Sequence, residues 1–96
     1  MNRVDHLLWT LAEECAEVAQ RASKAARFGL EEVQPGQEFT NAERLMHEYA
    51  DLIGIMDVLV RDGIITFPHD FNERVRNKRD RFDKFLERSK EHGRLD

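Results

Sequence analysis

A chain of 96 residues is long enough for one domain, but its hydrophobic core would be marginal unless self-association enlarged it. The 41% of hydrophobic residues excludes a disordered chain, and the absence of any apolar run near about 18 residues excludes a membrane span. The net charge of -4 argues against general nucleic-acid binding.

The start of the chain and its cysteine content indicate the compartment. Asp5 and His6 interrupt the first residues, which therefore lack the apolar region of a secretory signal. Cys15 is the single cysteine, so no internal disulfide can form, and its place beside apolar residues predicts a buried thiol. We therefore expect a cytoplasmic protein with no membrane partner.

The first predicted helix runs from about Val4 to Arg27, because apolar residues recur there at helical spacing. Gly29 suits the position just past its end. The segment Phe28 to Phe39 has no clear period and predicts a surface loop. The apolar stripe of the helix consists of Val4, Leu7, Leu8, Leu11, Cys15, Val18, Ala22 and Ala25.

The second predicted helix begins at a capping box, in which Thr40 precedes Glu43 by three residues. It should end near Asp62, with Gly63 as its cap. Between residues 45 and 60 it is apolar almost all round, and such a helix must be surrounded. The chain is therefore predicted to form a homodimer or homotetramer with this helix at the centre.

The third predicted helix starts at Asp70, which has Glu73 at another capping-box spacing, and fades into a polar tail from about Ser89. Lys78 lies inside its apolar stripe, where the long stem can cover apolar surface. The fold class predicted for residues 1–96 is all-α, a single domain of three main helices in an antiparallel bundle that is completed by oligomerisation. The stripe of the third helix consists of Phe71, Val75, Phe82, Phe85 and Leu86.

Four acidic side chains stand on or beside the apolar stripes of the first two helices. Glu14 with Glu17, and Glu48 with Asp51, are pairs three residues apart, so each pair shares one helix face. Burying unpaired carboxylates is costly, and crowding them raises their pKa values unless a cation compensates. Antiparallel packing would bring the pairs together, and such an oxygen-only ligand set selects Mg²⁺ or Mn²⁺.

Other patterns of metal ligands or nucleophiles do not fit. A zinc-protease helix starting at His47 would need a second histidine where Asp51 stands. A di-iron bundle would need a histidine three residues after Glu14 or Glu48. No cysteine or serine has a visible base partner, and there is no glycine-rich phosphate loop.

The distribution of charge points to the kind of ligand. Residues 1–67 carry 12 acidic and 6 basic side chains, whereas residues 69–92 carry 6 acidic and 8 basic ones. A metal site and a basic helix together suit a phosphorylated small molecule, because the metal and the bases can neutralise different phosphate oxygens.

The two acidic motifs, read together, are similar to a known pattern. EExxE followed by ExxD, formed here by Glu13, Glu14 and Glu17 and then by Glu48 and Asp51, resembles the MazG-like all-α nucleoside triphosphate pyrophosphohydrolase superfamily. That superfamily includes dCTP pyrophosphatases, dimeric dUTPases and phosphoribosyl-ATP pyrophosphohydrolases. The resemblance covers nearly the whole chain.

The resemblance implies a four-helix-bundle-like fold assembled as dimers or tetramers. It also implies hydrolysis of a nucleoside triphosphate between the α and β phosphates, which gives a nucleoside monophosphate and pyrophosphate. The cofactor would be Mg²⁺, with Mn²⁺ as a substitute. Its ligands would be the positions that match the family motif, Glu14, Glu17, Glu48 and Asp51.

Two further roles follow for this reaction. A carboxylate near the rim would orient or deprotonate the attacking water, and we assign this catalytic role to Glu13, with Glu17 as its rival. The run of Asn77, Lys78 and Arg81 looks like the basic segment that contacts phosphates in relatives.

Three alternatives stay open. They are a phosphoribosyl-ATP pyrophosphohydrolase, a catalytically silent helical module that binds metal or a partner, and a structural helical oligomer without metal.

Overall fold

The computed structural model describes residues 1–96 and is all-helical, as predicted. The helices are α1 (Arg3–Phe28), α2 (Asn41–Arg61) and α3 (Phe71–Glu91). The chain forms two compact units, Met1–Thr66 and Phe67–Asp96, which are described one at a time. A single domain over residues 1–96 stays a prediction.

In the first unit α1 and α2 form an antiparallel hairpin, held at both ends by polar contacts. At the open end, Arg3 donates from Nη2 to Oδ2 of Asp62 at 2.8 Å. This hydrogen bond and the charge of Arg3 hold the pKa of Asp62 below its usual value. At the loop end, the Asn41 side chain donates to the carbonyl oxygen of Gly29 at 2.8 Å. The start of each helix therefore lies beside the end of the other.

The helix termini of this unit agree with the sequence signals. Thr40 Oγ1 accepts from the backbone N–H of Glu43 at 3.1 Å, and Glu43 Oε1 accepts from the backbone N–H of Thr40 at 3.0 Å. The predicted capping box is thus confirmed. Gly29 ends α1 with a φ of 99°, a conformation that side chains with a Cβ rarely adopt.

The loop between α1 and α2 folds back on the first turn of α2. Val33 and Thr40 form an isolated antiparallel bridge. The backbone N–H of Asn41 donates to the carbonyl oxygen of Glu32 at 2.9 Å, and Asn41 is only 2% exposed. The loop is therefore fixed to α2 by backbone hydrogen bonds.

The core of the hairpin is small, and one sequence prediction about it is wrong. Leu59 is fully buried and Ala25 is nearly so, whereas Cys15 is exposed rather than buried. Cys15 lies about 100° around α1 from Glu14, which is on the half-buried face. The surface that α2 covers is therefore narrower than the apolar stripe.

In the second unit α3 begins differently from its prediction. Asp70 makes no side-chain cap, and its backbone is not in the extended conformation that an N-cap residue needs. Its carboxylate instead accepts from Nε of Arg74 at 3.1 Å. The helix continues past Ser89 to Glu91. None of the three helices combines the length and the apolar character needed to cross a bilayer.

Replacing Asn41 with alanine should lower the free energy of unfolding by about 1 to 3 kcal/mol, because the carbonyl of Gly29 loses a buried donor. Urea denaturation followed by circular dichroism measures the change. The matched control is Asn72→Ala, an exposed asparagine also in the first turn of a helix, which should change stability by less than about 0.5 kcal/mol. Equal effects of the two substitutions would contradict the structural role of Asn41.

Candidate metal centre

Three of the predicted ligands meet in the seam between α1 and α2. One carboxylate oxygen from each of Glu14, Glu17 and Glu48 lies within 4.8 Å of the other two. Glu14 and Glu17 come from consecutive turns of α1, and Glu48 comes from the facing turn of α2. The hairpin therefore gathers into one place acids that are more than thirty residues apart in the chain.

Two of these carboxylates each bury an oxygen that has no donor. Oε2 of Glu14 and Oε2 of Glu48 are inaccessible to solvent and have no hydrogen-bond partner. A buried carboxylate oxygen without a donor is costly, and either a proton or a cation would relieve that cost.

The same crowding changes the acidity of the cluster. The pKa of Glu14 is raised, first by burial and then by the negative charges of Glu17 and Asp51. The pKa of Glu48 is also raised, first by a hydrogen bond to the Glu17 carboxyl, which requires a shared proton, and then by burial. Without a cation the cluster therefore tends to hold protons.

Asp51, the fourth predicted ligand, is exposed and lies outside this group of three. Its charge nonetheless raises the pKa of both Glu14 and Glu48, so it stands close to the cluster. Its role as a metal ligand stays a prediction.

Glu13, which is predicted to orient or deprotonate the attacking water, lies beside the cluster on the exposed side of α1. Its Oε1 accepts a hydrogen bond from Nε1 of Trp9 at 2.9 Å, and its charge contributes to the raised pKa of Glu14. The indole thus holds one oxygen of Glu13.

The predicted substrate-binding residues Asn77, Lys78 and Arg81 lie on α3 in the second unit, and all three are exposed. Asn77 and Arg81 line a shallow surface depression together with Arg74, Asp80 and Lys84.

Two arginines that the sequence analysis did not single out continue the seam beyond the acids. Arg3 faces Asp62, and Glu17 faces Glu48, across the two antiparallel helices. In each of these pairs the two residue numbers add to 65. The same register places Arg21 opposite Arg44. Both arginines are half-buried. The helical spacing was a usable signal, because Arg21 lies four residues after Glu17 and therefore on the same face.

The geometry of the acids fits a hard divalent cation. Two oxygens bound to one Mg²⁺ at about 2.1 Å lie about 3 to 4.2 Å apart, so oxygens within 4.8 Å need only small side-chain movements to share an ion. Carboxylates are the preferred ligands of Mg²⁺ and Mn²⁺. A cation here would also offset the crowded negative charge of Glu14 and Glu48, each of which has an oxygen without a donor.

Comparisons of the chain with protein-family models, with curated proteins and with solved structures find no match.

The metal-free protein should become less stable as the pH rises above 4.5, the usual pKa of a glutamate. Between that value and the raised pKa values of Glu14 and Glu48, the folded protein holds more protons than the unfolded chain. Thermal melts with a chelator from pH 4.5 to pH 8 should show a falling Tm. Adding Mg²⁺ or Mn²⁺ near pH 8 should raise it.

The Glu48→Gln variant should show a weaker pH dependence and no metal-induced rise in Tm. The control is Glu38→Gln, an exposed acid in the loop between α1 and α2 that makes no side-chain hydrogen bond or ion pair, and its melts should match those of the wild type. A wild-type Tm that responds to neither pH nor metal would contradict a metal centre at this cluster.

Proposed function

We propose that this protein is a Mg²⁺-dependent nucleotide pyrophosphohydrolase, which converts a nucleoside triphosphate to a nucleoside monophosphate and pyrophosphate. The observation that carries the proposal is the cluster of Glu14, Glu17 and Glu48 with its two buried oxygens that lack donors. The EExxE and ExxD motifs that supply these residues favour this reaction over other metal-dependent chemistry.

Each acid has a distinct role in the proposal. Glu14, Glu17 and Glu48 hold Mg²⁺, and Asp51 joins them from the edge of the cluster. When bound, the metal polarises phosphoryl oxygens and offsets the negative charge of the transition state. Glu14 and Glu17 would hold the cation from α1, and Glu48 would hold it from α2.

Glu13 is the proposed base. The hydrogen bond from Trp9 fixes one of its oxygens, which leaves the other free to orient or deprotonate water. Glu17 is the rival for this role. Its place within the cluster makes it the better ligand, and the exposed position of Glu13 gives it easier access to water.

The basic residues of α3 are the proposed contacts for the leaving phosphates. Asn77 and Arg81 are four residues apart and share one surface depression, so their side chains can act together on one anion. Lys78 supplies a further positive charge from the same helix. These contacts are proposed because the run of Asn77, Lys78 and Arg81 resembles the basic segment that contacts phosphates in relatives, and not because of the carboxylate cluster.

We also propose that the protein acts as a homodimer or homotetramer. Met46, Tyr49 and Ile53 share one face of α2, and they are 59%, 47% and 43% exposed. Since α1 covers only the opposite side of α2, a second copy would bury this apolar face and enlarge the core.

The first test is the release of pyrophosphate from a panel of NTPs and dNTPs, standard and modified, with Mg²⁺, with Mn²⁺ or with chelator. We expect metal-dependent release of pyrophosphate and monophosphate. Glu48→Gln should abolish both turnover and Mn²⁺ binding while circular dichroism still shows the helices, and Glu38→Gln should remain active.

Full activity of Glu48→Gln would remove the basis of the proposal. Turnover of phosphoribosyl-ATP without turnover of dNTPs would select that substrate class. Metal-dependent stabilisation without any pyrophosphate release would leave a silent metal-binding module.

A second test addresses assembly. Ile53→Glu places a charge in the centre of the exposed α2 face and should convert the oligomer to monomers, as measured by sedimentation velocity. Glu38→Asp, an exposed acid in the loop between α1 and α2, should leave the oligomer intact. A wild-type protein that sediments as a monomer at high micromolar concentration would contradict the proposed assembly.

A further inference from the structure

The arginine pair, Arg21 and Arg44, continues the α1/α2 seam one helical turn beyond the carboxylate cluster. Arg21 follows Glu17 by four residues, and Arg44 precedes Glu48 by four, so both guanidinium groups belong to the same seam as the acids. One turn corresponds to about 5.4 Å along each helix. Acidic and basic side chains therefore occupy successive layers of one helix interface.

Arg21 has donors that nothing in the chain satisfies. Its Nε and Nη1 are inaccessible to solvent and have no hydrogen-bond partner. Its one hydrogen bond is a long contact of 3.4 Å from Nη2 to the side-chain oxygen of Gln20. A buried charged donor without an acceptor is costly, which indicates that an acceptor belongs there.

Arg44 is also without a charged partner. Its Nη1 donates to the neutral side-chain oxygen of Gln34 at 3.1 Å. The ion pairs of the chain join Asp62 to Arg3 and Arg61, and Asp70 to Arg74, so neither member of the arginine pair forms one. The four nearby carboxylates therefore do not serve as their counterions.

The position of Arg44 adds to the positive potential. It lies in the first turn of α2, where the partial charge of the helix is already positive. The backbone N–H groups of the first four residues of α2, 41–44, all donate within the chain. Their acceptors are the carbonyl oxygens of Glu32 and Leu30 and the side-chain and carbonyl oxygens of Thr40. A ligand of this surface would thus be held by the arginine side chains and not by the helix terminus.

We infer that Arg21 and Arg44 form an anion-binding subsite in the α1/α2 seam, which takes a phosphate group of a ligand whose neighbouring phosphate oxygens are at the carboxylate cluster. Guanidinium groups are well suited to phosphate because their donors are planar and fixed in direction. The binding of an anion rests on the arginines alone. The identity of the ligand as a metal-bound nucleotide rests on the proposed function.

The subsite explains why unpaired arginines lie beside unpaired acids. The layer of acids would bind a metal cation and the layer of arginines would bind an anion. A chain of linked phosphates would extend across both layers. Inorganic pyrophosphate is the simplest probe, because it carries two linked phosphates and is the product of the proposed reaction.

Isothermal titration of pyrophosphate into the full-length protein, with Mg²⁺ and separately with chelator, tests the inference. Arg21→Gln and Arg44→Gln should each weaken pyrophosphate binding about tenfold or more. The control is Arg27→Gln, an exposed arginine in the last turn of α1, which should bind as the wild type does. Arg21→Lys keeps the charge but loses the guanidinium, and should give an intermediate affinity.

Mn²⁺ binding, followed by electron paramagnetic resonance, separates the two sites. Removing a positive charge beside the acids should leave Mn²⁺ affinity unchanged or increase it, whereas pyrophosphate affinity falls. A variant that was merely misfolded would lose both. A fall in pyrophosphate affinity with Mn²⁺ affinity retained or increased, in both Arg21→Gln and Arg44→Gln, supports the subsite.

Failure of this inference and failure of the proposed function have different signatures. Wild-type pyrophosphate affinity in both folded arginine variants, or no pyrophosphate binding by the wild type under either condition, overturns the subsite. The proposed function would still stand in that case, because it is tested separately by nucleotide turnover. Absence of turnover from every nucleotide, with pyrophosphate binding still lost in Arg21→Gln and retained in Arg27→Gln, overturns the proposed function and supports the subsite.

Discussion

The crowding of carboxyl groups in the seam between two helices is the constraint on which the first unit of this protein depends. In an ordinary helical hairpin, leucine or isoleucine would occupy the middle of the seam. Here the half-buried Glu14 and Glu48 stand there, with the exposed Glu17 beside them. Burial is the main cause that raises the pKa of Glu14, and the hydrogen bond to the Glu17 carboxyl is the main cause that raises the pKa of Glu48. The helices can remain paired because the ends of the seam are held by contacts of a different kind. Arg3 pairs with Asp62 at one end, and the Asn41 amide reaches the backbone of Gly29 at the other.

This arrangement lowers the stability of the fold at the place where chemistry is proposed. Such trade-offs are common at functional sites, because groups poised to bind a ligand are poorly satisfied without it. The small core around Leu59 offers little compensation. A cation in the seam and a second copy against the exposed face of α2 would each contribute stability that the isolated hairpin lacks. Binding, assembly and folding are therefore expected to be coupled in this protein.

The seam is also divided along its length. The acids form one layer, and Arg21 with Arg44 forms the next, with no ion pair between them. Arg21 and Arg44 are each four residues from an acid of the cluster, a spacing at which opposite charges on one helix can pair. Keeping them apart leaves both layers available, one for a cation and the other for an anion. A metal-bound phosphate chain is a ligand that matches both layers at once, so the arginine pair and the carboxylate cluster favour the same class of substrate.

Local signals in the sequence were sufficient to place the helices. Periodic apolar residues placed α1 within one residue at each end, and the spacing of Thr40 and Glu43 placed the start of α2. The same kind of signal was wrong at Asp70, because a capping box depends on backbone conformation as well as on spacing. The prediction of a buried Cys15 was also wrong, since the width of a covered helix face depends on which neighbour packs against it.

The sequence by itself determined the helical class and identified the unusual acids, because helix periodicity is a local property that spacing reveals. Only the tertiary structure decided which of these acids meet. It brought Glu14, Glu17 and Glu48 within 4.8 Å and left Asp51 at the edge. It also revealed the unpaired donors of Arg21, which a sequence cannot show. The register between two helices fixes these contacts, and register depends on the packing of residues far apart in the chain.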